Sequence, residues 1–73
     1  MMTKYKITAI YPSDRDKAIR IILSADKNAK ILKLNNSYTF TFKSFLNLSE
    51  VTKKVVLSDE LYSTVKIKKC FIQ

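Results

Sequence analysis

The sequence predicts a mainly β domain, a small five-stranded barrel, on three observations. Apolar and polar residues alternate along residues 4–11, 37–43 and 63–69, the period of a half-buried strand. Turn signals recur roughly every twelve residues, the rhythm of a small barrel or sandwich. The chain has 73 residues, and a domain of that size buries only roughly 60% of its unfolded surface. It has little material for covering sheet edges, and closure into a barrel removes them. One domain spanning residues 1–73 is all that this length supports.

The first strand runs from Lys4 to Tyr11, with Tyr5, Ile7, Ala9 and Tyr11 on one face and Lys4, Lys6, Thr8 and Ile10 on the other. Pro12 ends it, and Ser13 to Lys17 reads as polar loop. Residues 13–25 are open to two readings. Ser13 and Asp16 have capping-box spacing, and Asp16, Lys17, Arg20 and Ser24 would share one polar arc of a helix. As a strand, Ile19, Ile21 and Leu23 point inward, Arg20 and Ser24 outward, and Ile22 does not fit. Three isoleucines favour the strand, because β-branched side chains lose rotamer freedom in a helix.

KILKL at 30–34 and SYTFTFK at 37–43 flank Asn35-Asn36, where asparagine can take a positive φ and turn a hairpin. KKVVLS at 53–58 is a shorter strand, and STVKIKK at 63–69 is the last. A helix at 49–62 is disfavoured, since Val51 and Val55 share a side but Val56 and Leu57 do not. The alternative architecture, an α+β plait of order βαββαβ, needs helices both there and at 13–25, and it ranks second for that reason.

The stretch NNSYTFTFKSF, residues 35–45, holds four aromatic rings. Tyr38, Phe40 and Phe42 fall on one face of a strand, and each buried ring stabilises by roughly 1.5 to 3 kcal/mol. The stripe is therefore assigned to the interior. Its other face, Thr39, Thr41 and Lys43, joins Lys4, Lys6, Thr8, Arg20 and Lys33 in a groove of hydroxyls edged with cations. Such a groove can track a phosphate backbone and donate hydroxyl hydrogen bonds to it. Tyr11, Phe45 and Tyr62 are the rings expected outside. Lys66, Lys68 and Lys69 form the densest positive cluster, with Lys66 and Lys68 on the solvent face of the last strand.

The composition narrows the chemistry further. Fourteen Lys and Arg against six Asp and Glu give a net charge of +8, enough to attract polyanions. The acidic residues gather at expected turns: Asp14, Asp16, Asp26, Asp59 and Glu60. With no histidine and a single cysteine, Cys70, the chain lacks a Cys/His zinc set, an internal disulfide, and histidine-based or histidine-activated thiolate catalysis. Zero glycine excludes the glycine-rich phosphate loops. No enzyme and no cofactor are expected.

The order of segments resembles an oligonucleotide/oligosaccharide-binding (OB) fold, carried by IRIILSADKN, KILKLNNSYTFTFKSF and KKVVLSDELYSTVKIKK. The pattern is similar to that of single-strand-binding domains of the replication protein A and telomere end-protection type. No glycine is present to bend the long first strand, a departure from that family. The resemblance implies that Tyr62 belongs to a loop framing the ligand. A rival resemblance is to the third strand of an RNA-recognition module, which places aromatics outward; SYTFTFKSF shares its aromatic rhythm and lacks its glycines and leading cation.

The functional expectation is a non-catalytic single-stranded nucleic-acid-binding domain, DNA or RNA, using Lys4, Lys6, Arg20, Lys33, Thr39, Thr41, Lys43, Tyr62, Lys66 and Lys68. The alternative is a small viral or mobile-element interaction factor, an inhibitor or accessory subunit, docking on an acidic protein. Ile10 and Ile22, both outward in the barrel, are the candidate contacts of a weak homodimer. No apolar run approaches the ~18 residues of a membrane span, and MMTKYKITAI lacks the core of a secretory signal, so an intracellular location is expected.

Overall fold

A computed structural model of the chain describes residues 1–58 and 64–70. Strand β1 (Thr3–Ala9) is followed by helix α1 (Pro12–Ala25), strands β2 (Lys30–Asn36) and β3 (Thr39–Ser44), a short helix α2 (Leu48–Val51) that runs on as a π-helical segment (Thr52–Val56), and strand β4 (Val65–Cys70). The strands form one four-stranded sheet in the order β2-β3-β1-β4, and every pairing is antiparallel. Among the described residues β2 pairs only with β3 and β4 only with β1, so the sheet is open and no five-stranded barrel closes. The order of elements is that of the alternative, βαββαβ.

Two expected strands are helical, and the reasons differ. Residues 13–25, expected as loop and strand, lie in α1 because a helix resolves the one misfit of the strand reading: Ala18 and Ile22, four apart, are both fully buried. Burying Ile22 stabilises by roughly 1.5 to 3 kcal/mol, against a helix-propensity cost of a few tenths. β1 ends at Ala9, three residues short of Pro12, and Pro12 opens the helix, where its missing N–H costs nothing and its φ is already helical. Tyr11 is the N-cap and makes no side-chain cap bond, so the capping box read at Ser13 does not form.

Residues 53–58 belong largely to the π-helical segment. Its entry was legible in a motif two residues upstream of the segment judged a poor helix. Asn47 Oδ1 accepts from the Glu50 backbone N–H at 2.8 Å, and Glu50 Oε1 accepts from the Asn47 N–H at 2.9 Å, a reciprocal capping box. Val51 and Val55 then bury completely on the sheet side.

All the large buried side chains lie between the sheet and this helical layer. Tyr5, Ile7 and Ala9 of β1, Phe40 and Phe42 of β3 and Val65 of β4 meet Ala18, Ile22, Val51 and Val55. Register brings Phe42 opposite Tyr5 and Phe40 opposite Ile7, and the Tyr5 and Phe42 rings pack at 5.3 Å. Tyr5 stays satisfied in the core because its hydroxyl donates to the Leu46 carbonyl at 2.7 Å; burial, ahead of the opposing hydrogen bond to Thr3, raises its pKa.

Asp26, just past α1, fastens the helix to the end of β3. Its Oδ2 accepts from Ser44 Oγ at 2.6 Å and from the Phe45 N–H at 2.9 Å, and its Oδ1 from the Asn28 N–H at 2.9 Å. Those three bonds, the Ser44 hydroxyl first, favour the carboxylate and lower its pKa. At the other end of the helix Arg15 donates through Nη1 to the Asn36 carbonyl at 2.7 Å, while Nε and Nη2 hold Asp16. The hairpin turn lies at Ser37-Tyr38, two residues later than expected, with Asn36 Oδ1 accepting from the Tyr38 N–H at 2.8 Å.

Candidate functional site

The helices cover one side of the sheet, and the other side is open. Alternation along β1 sends Lys4, Lys6 and Thr8 to the open side, and pairing carries the same face across the sheet: Lys4 lies opposite Lys43, Lys6 opposite Thr41, and Thr8 opposite Thr39. On the other flank Lys6 meets Lys68, Thr8 meets Lys66, and Lys4 meets Cys70.

Strand β2 needs a device to join this face, because KILKL does not alternate cleanly. Register shifts at Ile31/Lys33 and Leu34/Asn36 each insert one residue. Lys30, Lys33 and Asn36 therefore stand opposite Lys43, Thr41 and Thr39 on the open side, while Ile31 and Leu34 stand opposite Phe42 and Phe40. The three-residue spacing of Lys30 and Lys33 was the signal for a bulge. Lys30 was missed as a face residue for want of it.

The open face thus gathers Lys4 and Lys6 of β1, Lys30 and Lys33 of β2, Lys43 of β3, and Lys66 and Lys68 of β4. Among the described residues no carboxylate stands with them. Three cross-strand pairs are lysine against lysine: Lys4 with Lys43, Lys6 with Lys68, and Lys30 with Lys43. Like charges directly opposite each other destabilise a sheet. The described acidic residues all lie elsewhere: Asp14 and Asp16 in the first turns of α1, Asp26 at its end, and Glu50 in α2.

Threonines form the floor between the lysines. Thr39 and Thr41 are buried by their neighbours, and their hydroxyls are committed: Thr39 Oγ1 donates to Thr8 Oγ1 at 3.2 Å, and Thr41 Oγ1 to Asn35 Oδ1 at 2.9 Å. To donate to a ligand, as expected of them, these two hydroxyls would have to give up those bonds. Thr8, the exposed member of the Thr39–Thr8 pair, is the hydroxyl of the two that a ligand can reach. Lys4, Lys6, Lys33 and Thr41, with Leu32, Asn35 and Cys70, line a shallow hollow of about 440 Å³ on this face.

Eight of the expected site residues, Lys4, Lys6, Lys33, Thr39, Thr41, Lys43, Lys66 and Lys68, therefore share one side of one sheet. Arg20 does not, because α1 carries it on the helical layer; its placement in the groove followed from the strand reading of 13–25. Tyr62 lies outside the described residues. Phe40 and Phe42 face the core, so β3 has no outward ring, and Tyr38, ahead of β3, is about half exposed. Tyr11 and Phe45 are exposed as expected. Ile10 is exposed at 62% but Ile22 is at 0%, which removes the proposed apolar dimer pair: one member is in the core.

Among the described residues no group of three or more His, Cys, Asp or Glu could hold a metal ion, and no helix is long and apolar enough to cross a membrane. Comparison of the chain with family profiles, curated proteins and solved structures found no match.

Proposed function

We propose that the chain is a non-catalytic domain that binds single-stranded nucleic acid across the open face of its sheet. The observation that carries this reading is the concentration of lysines on one surface, including three directly opposed pairs, with no carboxylate among the described residues to offset them. Such a face is electrostatically costly to the free protein, and a polyanion laid across it relieves that cost while releasing counterions. The lysines come from all four strands, so the phosphate track runs across the strands and does not follow any one of them. With no ring on the outward face of β3, binding is to the backbone and carries little sequence preference.

Lysine side-chain NMR tests the assignment residue by residue. Adding a single-stranded oligonucleotide should shift the ε-methylene signals of Lys6, Lys33, Lys66 and Lys68 together and leave Lys53, on the π-helical segment, unmoved. Equal shifts at every lysine would reduce the binding to diffuse attraction.

The second reading, an interaction factor docking on an acidic protein, is favoured by that same lack of a stacking ring and by Leu32, 44% exposed among the lysines of the hollow. Under it, an acidic peptide such as polyglutamate competes fully with the oligonucleotide and binds at least as tightly. Under the nucleic-acid reading the oligonucleotide wins.

A further inference from the structure

Arg20, displaced from the sheet by the helical fold of α1, stands beside a second hollow on the helical layer. Lys17, Arg20 and Ser24 of α1 and Lys54 of the π-helical segment line a space of about 420 Å³, with Ile21 and Ala25 completing the wall. The three α1 residues are spaced three and four apart and so share one face of the helix.

Among the described residues their charge is largely uncompensated. Lys17 has Asp14 Oδ1 at 3.9 Å, at the limit of an ion pair, and among the described residues no carboxylate pairs with Arg20 or Lys54. The facing wall is itself unusual. Leu57 N–H donates to the Thr52 carbonyl at 3.0 Å, five residues back, and such wide turns are rare and recur at functional sites. This turn buries Val55 and leaves Lys54 on the hollow.

We propose that this hollow is a second anion site, for a phosphate group, separate from the open face of the sheet. Arg20 supplies the planar fork that fits two phosphate oxygens, Lys17 and Lys54 supply point charges, and the Ser24 hydroxyl supplies a neutral donor. The site does not rest on the reading of the sheet face. Should both faces take phosphate, one chain could hold two phosphodiester segments on opposite sides. A free pyrophosphate-bearing molecule is the other source of the same chemistry.

The test is an amide NMR titration of the full chain with inorganic pyrophosphate at about 50 mM salt, where surface charges are weakly screened. Saturable shifts should appear together at Lys17, Arg20, Ser24 and Lys54. The double variant Arg20→Ala/Lys54→Ala, two exposed side chains, should weaken that response by about tenfold, and Lys6→Ala/Lys68→Ala should leave it unchanged. Arg20→Gln alone serves if the double variant loses its native spectrum, and it should weaken the same shifts. A single-stranded oligonucleotide that moves the same amides identifies the phosphodiester backbone as the source; a response to pyrophosphate alone identifies a free phosphate compound. No shift, shifts spread evenly over the lysines, or shifts indifferent to Arg20 would overturn the proposal. Failure here with oligonucleotide binding intact on the sheet condemns only this site.

Discussion

The two faces of β3 are opposite in chemistry. Within six residues the strand presents Phe40 and Phe42 to the core, each fully buried, and Thr39, Thr41 and Lys43 to the open side. The inward face is held by apolar packing against two helical segments, which added salt does not screen. The outward face sets threonines among lysines that oppose like charges on the neighbouring strands. One face is there for stability. The other works against it, and under the proposed function a bound polyanion offsets that cost.

Substitutions on the two faces should therefore have opposite consequences. The largest effect is expected at Phe40→Ala, which should cost roughly 3 to 5 kcal/mol in urea unfolding as a cavity opens under the helices. In so small a domain that is enough to unfold much of the population. A folded Phe40→Ala chain that had lost only ligand binding would exchange the roles of the faces.

Next comes Asp26, which ties α1 to the end of β3. Its folded pKa lies below the ordinary value of about 3.9 for an unfolded aspartate. Its contribution is therefore complete above that value and disappears as pH falls through the lowered folded pKa. Thermal unfolding should show Asp26→Asn destabilised at pH 7, with the gap to the native chain narrowing progressively as pH falls below about 3.9. A gap that widened on acidification would reverse the assigned sign.

The smallest effect on stability, and the sharpest contrast, is expected at Lys68→Gln. Removing one member of the Lys6/Lys68 pair should leave stability unchanged or raise it, by about 0.2 to 1 kcal/mol, while weakening oligonucleotide binding. Loss of both stability and binding would show that Lys68 packs and does not merely repel.

How much of this was legible in the sequence depended on local period. β1, β3 and β4 alternate cleanly, and they delivered the buried stripe and five of the seven lysines of the open face. The helices were obscured because their signals conflicted with composition. Ile19, Ile21 and Ile22 carry strand propensity, but the burial of Ile22 with Ala18 decides for the helix, and packing energies exceed propensities. Arg20 went to the wrong layer as a direct consequence. The Asn47/Glu50 cap was present in the sequence, but it begins just before the segment whose valines segregate poorly, and a π-helical turn breaks the period by which such valines are judged. Lys30 required a bulge, which reverses alternation without any change in composition.

The central claim, that the open face is a site and not merely part of a basic protein, is tested most directly by the salt dependence of single-strand affinity measured by fluorescence anisotropy. With four to six phosphates neutralised, log affinity should fall against log salt with a slope of roughly −3 to −4. The reversal Lys6→Glu/Lys68→Glu should weaken binding for every sequence alike and flatten that slope by about 1 or more. Lys27→Glu/Lys53→Glu, which changes net charge identically at two exposed residues outside the sheet, should leave most of both intact. Equal losses from the two variants, or no binding even at about 50 mM salt, would contradict the account.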